Sequence, residues 1–91
     1  MILNELYVQH DVWRRTSDAV CIRYIVLMHL ESGKFAVQSA DFFDGLNGVG
    51  LDYFNKQFIE LMKEESPLER CEWFRSIEDA VRAHDDDFSN D

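Results

Sequence analysis

Apolar and polar residues alternate from Leu6 to Trp13. Leu6, Val8, His10 and Val12 fall on one side of that stretch; Tyr7, Gln9, Asp11 and Trp13 fall on the other. A period of two predicts a β-strand with an aliphatic face and a mixed face. Arg14 to Asp18 is polar and turn-forming. Ala19 to Leu30 then gives the strongest strand signal, rich in Val, Ile and Tyr. One of its faces carries Val20, Ile22, Tyr24, Val26, Met28 and Leu30. The other is apolar only at Ile25 and Leu27, so its middle is expected to be covered on both sides. Glu31 to Lys34 predicts a hairpin connection, with Gly33 free to take positive φ. Phe35 to Ser39 is the returning strand, extending toward Phe43.

After a glycine-containing loop at 44–50 the period changes. Leu51, Phe54, Phe58, Leu61 and Met62 follow helical spacing and predict a helix to Glu65. Ser66-Pro67 stops it, because the residue before a proline avoids α geometry. Cys71 to Arg75 fits a short fourth strand. Ser76 is placed to cap a last helix with acids in its first turn. Ile77, Ala80, Val81, His84 and Phe88 share that helix's inner face. Asp85 to Asp87 oppose the dipole at its end and are expected to fray it. The order β-β-β-α-β-α predicts an α+β fold, a small antiparallel sheet with two helices packed on one face. A single domain is expected over residues 1–88, with 89–91 a loose tail.

Composition narrows the partners. The 91 residues carry 9 Lys and Arg against 18 Asp and Glu, a net charge of −9. That sign argues against direct nucleic-acid binding and against an anionic membrane surface. The acidity is uneven, with residues 1–45 at −2 and residues 46–91 at −7. No apolar run approaches the ~18 residues of a spanning helix. The N-terminal stretch has no basic region ahead of an apolar run, so a secretory signal is not expected. Cys21 and Cys71 are then expected to be reduced thiols in a cytoplasmic protein.

Candidate chemistry is sparse. Gly45, Gly48 and Gly50 stand between a strand and a helix, where phosphate loops occur. The spacing is not a dinucleotide fingerprint, and Asp44 and Asp52 flank it. A flexible connection is the plainer reading. His84 and Asp85 to Asp87 offer metal-ligand atoms, yet consecutive helical aspartates point in different directions and cannot share one ion. Cys21 and His29 lie ~26 Å apart along one strand at ~3.3 Å per residue, too far for a thiolate–imidazole pair. No catalytic residue, metal or cofactor is expected.

The 7 Phe, 3 Tyr and 2 Trp are many for so short a chain. Either they form an aromatic core, or some lie on a partner surface. Phe42-Phe43 and Trp73-Phe74 are adjacent pairs that face opposite sides of a strand. The sequence therefore predicts a small acidic, non-enzymatic interaction protein that binds a protein partner, most economically a second copy as a homodimer. Tyr7, Trp13, Phe43 and Trp73 are the expected anchors. Arg14, Arg15 and Arg23 are the expected rim groups for carboxylates. One alternative is an acidic inhibitor or nucleic-acid mimic that covers a basic site on a nuclease. Another is a small ligand binder or enzyme using the 44–50 loop.

Overall fold

A computed structural model describes residues 5–43 and 50–89. Three strands form an antiparallel sheet in the order β1 (Tyr7–Ser17), β2 (Val20–His29), β3 (Phe35–Phe43). Helices α1 (Leu51–Glu64), α2 (Pro67–Arg70) and α3 (Ile77–Ser89) follow. The α+β class and the antiparallel sheet agree with the pattern of the sequence. Of the glycine loop expected at 44–50 only Gly50 is described, at the start of α1; residues 44–49 and the side-chain role expected of Phe88 lie outside the described residues.

The first strand runs further than its alternation predicts. Arg14 and Arg15 stay in the ladder opposite Ile22 and Cys21, and the turn falls at Asp18-Ala19. A register shift between Arg15 and Ser17 ends the regular pairing. The β2–β3 hairpin closes as expected: Gly33 takes φ +71°, and its N–H donates to the His29 carbonyl at 2.7 Å. β2 is the core strand, with Tyr24, Ile25, Val26 and Leu27 all buried.

Gln38 is the extra residue where β3 slips against β2 between Ile25 and Val26. Its carbonyl accepts from Arg70 Nη2 at 2.7 Å, and its Oε1 accepts from Arg70 Nη1 at 2.9 Å. Phe35 exchanges two backbone hydrogen bonds of 2.7 Å with Phe74 beside it. The predicted fourth strand is thus reduced to one isolated bridge. The reason is that residues 66–74 wrap around the edge of β3 and touch it at separate points. The wrap carries the chain from one face of the sheet to the other.

The helices accordingly cover different faces, rather than sharing one. Arg23 donates to Asn55 of α1 at 3.2 Å. Tyr24, the next residue and so on the opposite face, donates to Asp85 of α3 at 2.8 Å. Ser66 caps α2, accepting from the Leu68 N–H, with Pro67 in the first turn. Ser76 accepts from the Asp79 N–H at 3.1 Å and caps α3. Ala80 of α3 is fully packed, while no residue of α1 is buried. Helix α3 continues through its acidic end to Ser89 instead of fraying. Asp85 is tied down there by Tyr24 and by Arg14, whose Nη2 lies 2.7 Å away.

Candidate interaction surface

On the β1 face that carries Tyr7, Gln9, Asp11 and Trp13, the last three are exposed and Tyr7 is half-buried. Trp13 is 56% exposed. Its ring lies 5.8 Å from that of Phe43, which meets Phe54 of α1 edge-on at 5.2 Å. Tyr53 and Leu51 of α1 are exposed beside Phe54. Trp13, Phe43, Phe54 and Tyr53 therefore form one chain of ring contacts running from the edge strand to the helix.

A second aromatic group sits at the other end of the same face. Tyr7 stacks on Trp73 with centroids 6.0 Å apart, and His29 lies against both rings. The Trp73 indole N–H donates to the Pro67 carbonyl at 3.2 Å. Tyr7 donates its hydroxyl to Glu5 at 2.7 Å. Burial and that bond to a carboxylate push the Tyr7 phenol up to about 12. Glu5 in turn sits below its ordinary range, through the hydrogen bonds from Tyr7 and Ser66. Trp73 and Tyr7 are half-buried and brace each other, whereas Trp13 touches Phe43 yet stays more than half exposed.

The three arginines separate. Arg15 is exposed and pairs with Asp18 at 3.0 Å. Arg14 donates to Tyr24 and Asp85, and the Tyr24 bond is the main reason its guanidinium holds its proton more firmly than usual. Arg23 is no rim group. It is 3% exposed and makes a buried ion pair with Asp41 at 2.6 Å. Both faces of β2 are covered at that point, so its charge needs an internal partner. The guanidinium also lies over the Phe43 ring at 5.9 Å.

The opposite face holds a groove that periodicity did not reveal. Its volume is about 880 Å³, between β3, α3 and the wrap, with Arg14, Tyr24, Arg70, Cys71 and His84 on its walls. Phe42, 55% exposed, flanks it. Cys71 and His84 share this groove, a juxtaposition invisible in one dimension. Their chemistry opposes catalysis. Burial pushes the Cys71 thiol up, and its Sγ faces Gln38 Oε1 at 3.3 Å and the Val37 carbonyl at 3.8 Å. Both neighbours disfavour a thiolate. Burial lowers His84, with Asp85 and Asp87 opposing the shift. Arg70 and Arg14 are already engaged by Gln38 and Asp85.

Cys21 and Cys71 are both free. Among the described residues no group of three His, Cys, Asp or Glu side chains is arranged to hold a metal, and no helix is long and apolar enough to cross a membrane. No protein-family model, curated protein or solved structure matches the chain, so its function rests on its own residues.

Proposed function

We propose that this chain is a non-enzymatic protein-interaction protein that docks through the bare face of β1, on a protein partner or on itself. The observation that carries this reading is Trp13. A tryptophan 56% exposed on an edge strand, continuous with Phe43, Phe54 and Tyr53, is the amphipathic anchor that protein interfaces favour. The free cysteines are compatible with the reducing cytoplasm that the reading assumes.

The acidic-mimic reading draws on the charge of −7 in residues 46–91. Those acids are divided, however. Glu60 and Glu64 belong to α1 on one face of the sheet; Glu78, Asp79, Asp86 and Asp87 belong to α3 on the other. A mimic needs its carboxylates on one continuous surface, so this reading ranks second.

The test immobilises the wild-type chain and its Trp13→Ser variant in parallel and exposes both to extract of the native cell. A protein retained by the wild type and lost from Trp13→Ser supports the interaction surface. Retention that ignores the substitution and disappears in 0.5 M salt would favour the acidic reading instead.

A further inference from the structure

We infer that the partner at β1 is a second copy of this chain, joined edge to edge in one antiparallel register with its two-fold axis at His10. The inference rests on the interaction reading and names its occupant. Its first support is the difference between the two edges of the sheet. The edge of β3 is closed by Phe74 and Arg70, whereas among the described residues β1 has a hydrogen-bonded neighbour on one side only. An eleven-residue unpaired edge is a template for another strand.

The peptide groups that face outward can be identified. The Leu30 N–H donates to the Leu6 carbonyl at 3.0 Å, extending the β1–β2 ladder by one residue. Ladder alternation then turns the even-numbered positions of β1 toward β2. Tyr7, Gln9, Asp11, Trp13 and Arg15 present their N–H and C=O groups to the open side. The register shift after Arg15 limits the pairable stretch at that end.

Only certain registers match outward groups with outward groups, and their side chains differ sharply. With the axis at His10, Tyr7 faces Trp13 of the second copy and Val8 faces Val12, and Glu5, in the turn just before β1, comes beside Arg15 at the end of the ladder. Each pair occurs twice. Aromatic pairs and opposite charges directly across a ladder stabilise it. Moving the axis to Asp11 sets Asp11 against itself. Moving it to Gln9 sets Tyr7 against Asp11 and Trp13 against Glu5. An axis at Trp13 also opposes Asp11 and Arg15, but the pairing then runs into the register shift after Arg15.

Charge permits the approach. Glu5, Asp11, Arg14 and Arg15 leave the stretch 5–15 neutral within a chain of −9. The Arg15–Asp18 pair is exposed and is readily exchanged for Glu5 of the second copy. Glu5 accepts from Tyr7 and Ser66 and retains lone pairs for a guanidinium.

The test uses the full chain with His10→Cys under mild oxidation at tens of micromolar. His10 falls at a non-hydrogen-bonded site on the axis, where Cα atoms approach to ~4.5 Å and a disulfide closes without strain. The expected product has twice the chain's mass, with residue 10 joined to residue 10 in the peptide map. Wild type oxidised alongside should not form it. Asp11→Cys and Gln9→Cys should cross-link much more slowly. Arg15→Glu, an exposed change that leaves the fold intact, should weaken the wild-type association by about tenfold in sedimentation, since two attractive pairs become repulsive. A dimer that ignores Arg15→Glu and links equally through residues 9, 10 and 11 overturns the register while leaving the interaction reading standing. A wild type that stays monomeric at high micromolar concentration overturns the inference. The Trp13-dependent capture of another protein would then still test the broader reading.

Discussion

Arg23 and Tyr24, neighbours on β2, reach different helices: the guanidinium meets Asn55 of α1 and the phenol meets Asp85 of α3. Both side chains are buried although both are polar. The central strand therefore anchors each helical layer by a hydrogen bond as well as by apolar packing. These two bonds fix α1 and α3 on opposite faces of the sheet. α1 lies against Arg23 and β3, and Trp13 on β1 stays more than half exposed.

The Arg23–Asp41 pair makes the first prediction. Its side chains are 4% and 9% exposed, so removing one partner strands a charge in the interior. Asp41→Ala should cost about 3–5 kcal/mol, much of the ~5–10 kcal/mol that holds a small domain. Arg23→Met combined with Asp41→Leu should recover most of that loss, because it removes both charges and keeps the volume. Urea unfolding of the three proteins checks this. A double variant no more stable than Asp41→Ala would count against the electrostatic account.

Arg70 closes the slip in β3. It satisfies both the backbone carbonyl and the side-chain oxygen of buried Gln38. Arg70→Lys keeps the charge but loses the planar fork, and should cost about 1–3 kcal/mol by leaving a buried acceptor short of a donor. Amide exchange at Val37, Gln38 and Ser39 should accelerate more than exchange in β1. Uniform acceleration would mean that Arg70 supports the domain as a whole and not the bulge.

Much of this architecture was legible. Alternation marks β1, richness in Val, Ile and Tyr marks β2, Gly33 marks its hairpin, and Ser76 marks the start of α3. The pairing of Arg23 with Asp41 also left a trace: each is an isolated charge in an apolar strand, and they lie equally far from Ser32 in the hairpin. Periodicity cannot say which face of a sheet a helix covers, since an apolar stripe fits either side. It therefore did not place α1 and α3 apart or take Arg23 from the rim to the interior. The fourth strand failed for a related reason. Cys71 to Arg75 has strand-like composition, but Arg70 and Phe74 are spent on closing one edge and no ladder develops. Among the expected anchors, Trp13 alone was both foreseen and found exposed. Tyr7 and Trp73 stack on each other instead.

The acidic end of α3 separates two neighbouring aspartates. Asp85 accepts from Arg14 and Tyr24, whereas Asp86 is exposed. Asp85→Asn should destabilise by about 1 kcal/mol through weakened hydrogen bonds to the sheet. Asp86→Asn removes a negative charge near a helix C-terminus and should be neutral or stabilising by roughly 0.3–1 kcal/mol at low salt. Thermal melts of the two variants give the ordering directly. Equal effects would show that Asp85 has no special anchoring role.

His84 gives the domain a pH dependence with a definite sign. It sits edge-on to Tyr24 at 5.8 Å, and burial lowers its pKa below the ordinary 6.5, partly countered by Asp85 and Asp87. The folded state therefore resists a proton that the unfolded chain accepts. The stability tied to neutral His84 is whole above pH 6.5 and is lost as the pH falls from there through the lower folded value. Other groups titrate nearby, so the informative quantity is the difference between wild type and His84→Gln. Denaturant midpoints from pH 7.5 to pH 5 should fall more steeply for the wild type, and the gap should narrow as the pH drops. Parallel curves would mean that the imidazole titrates alike in both states, and that its contact with Tyr24 leaves it open to solvent.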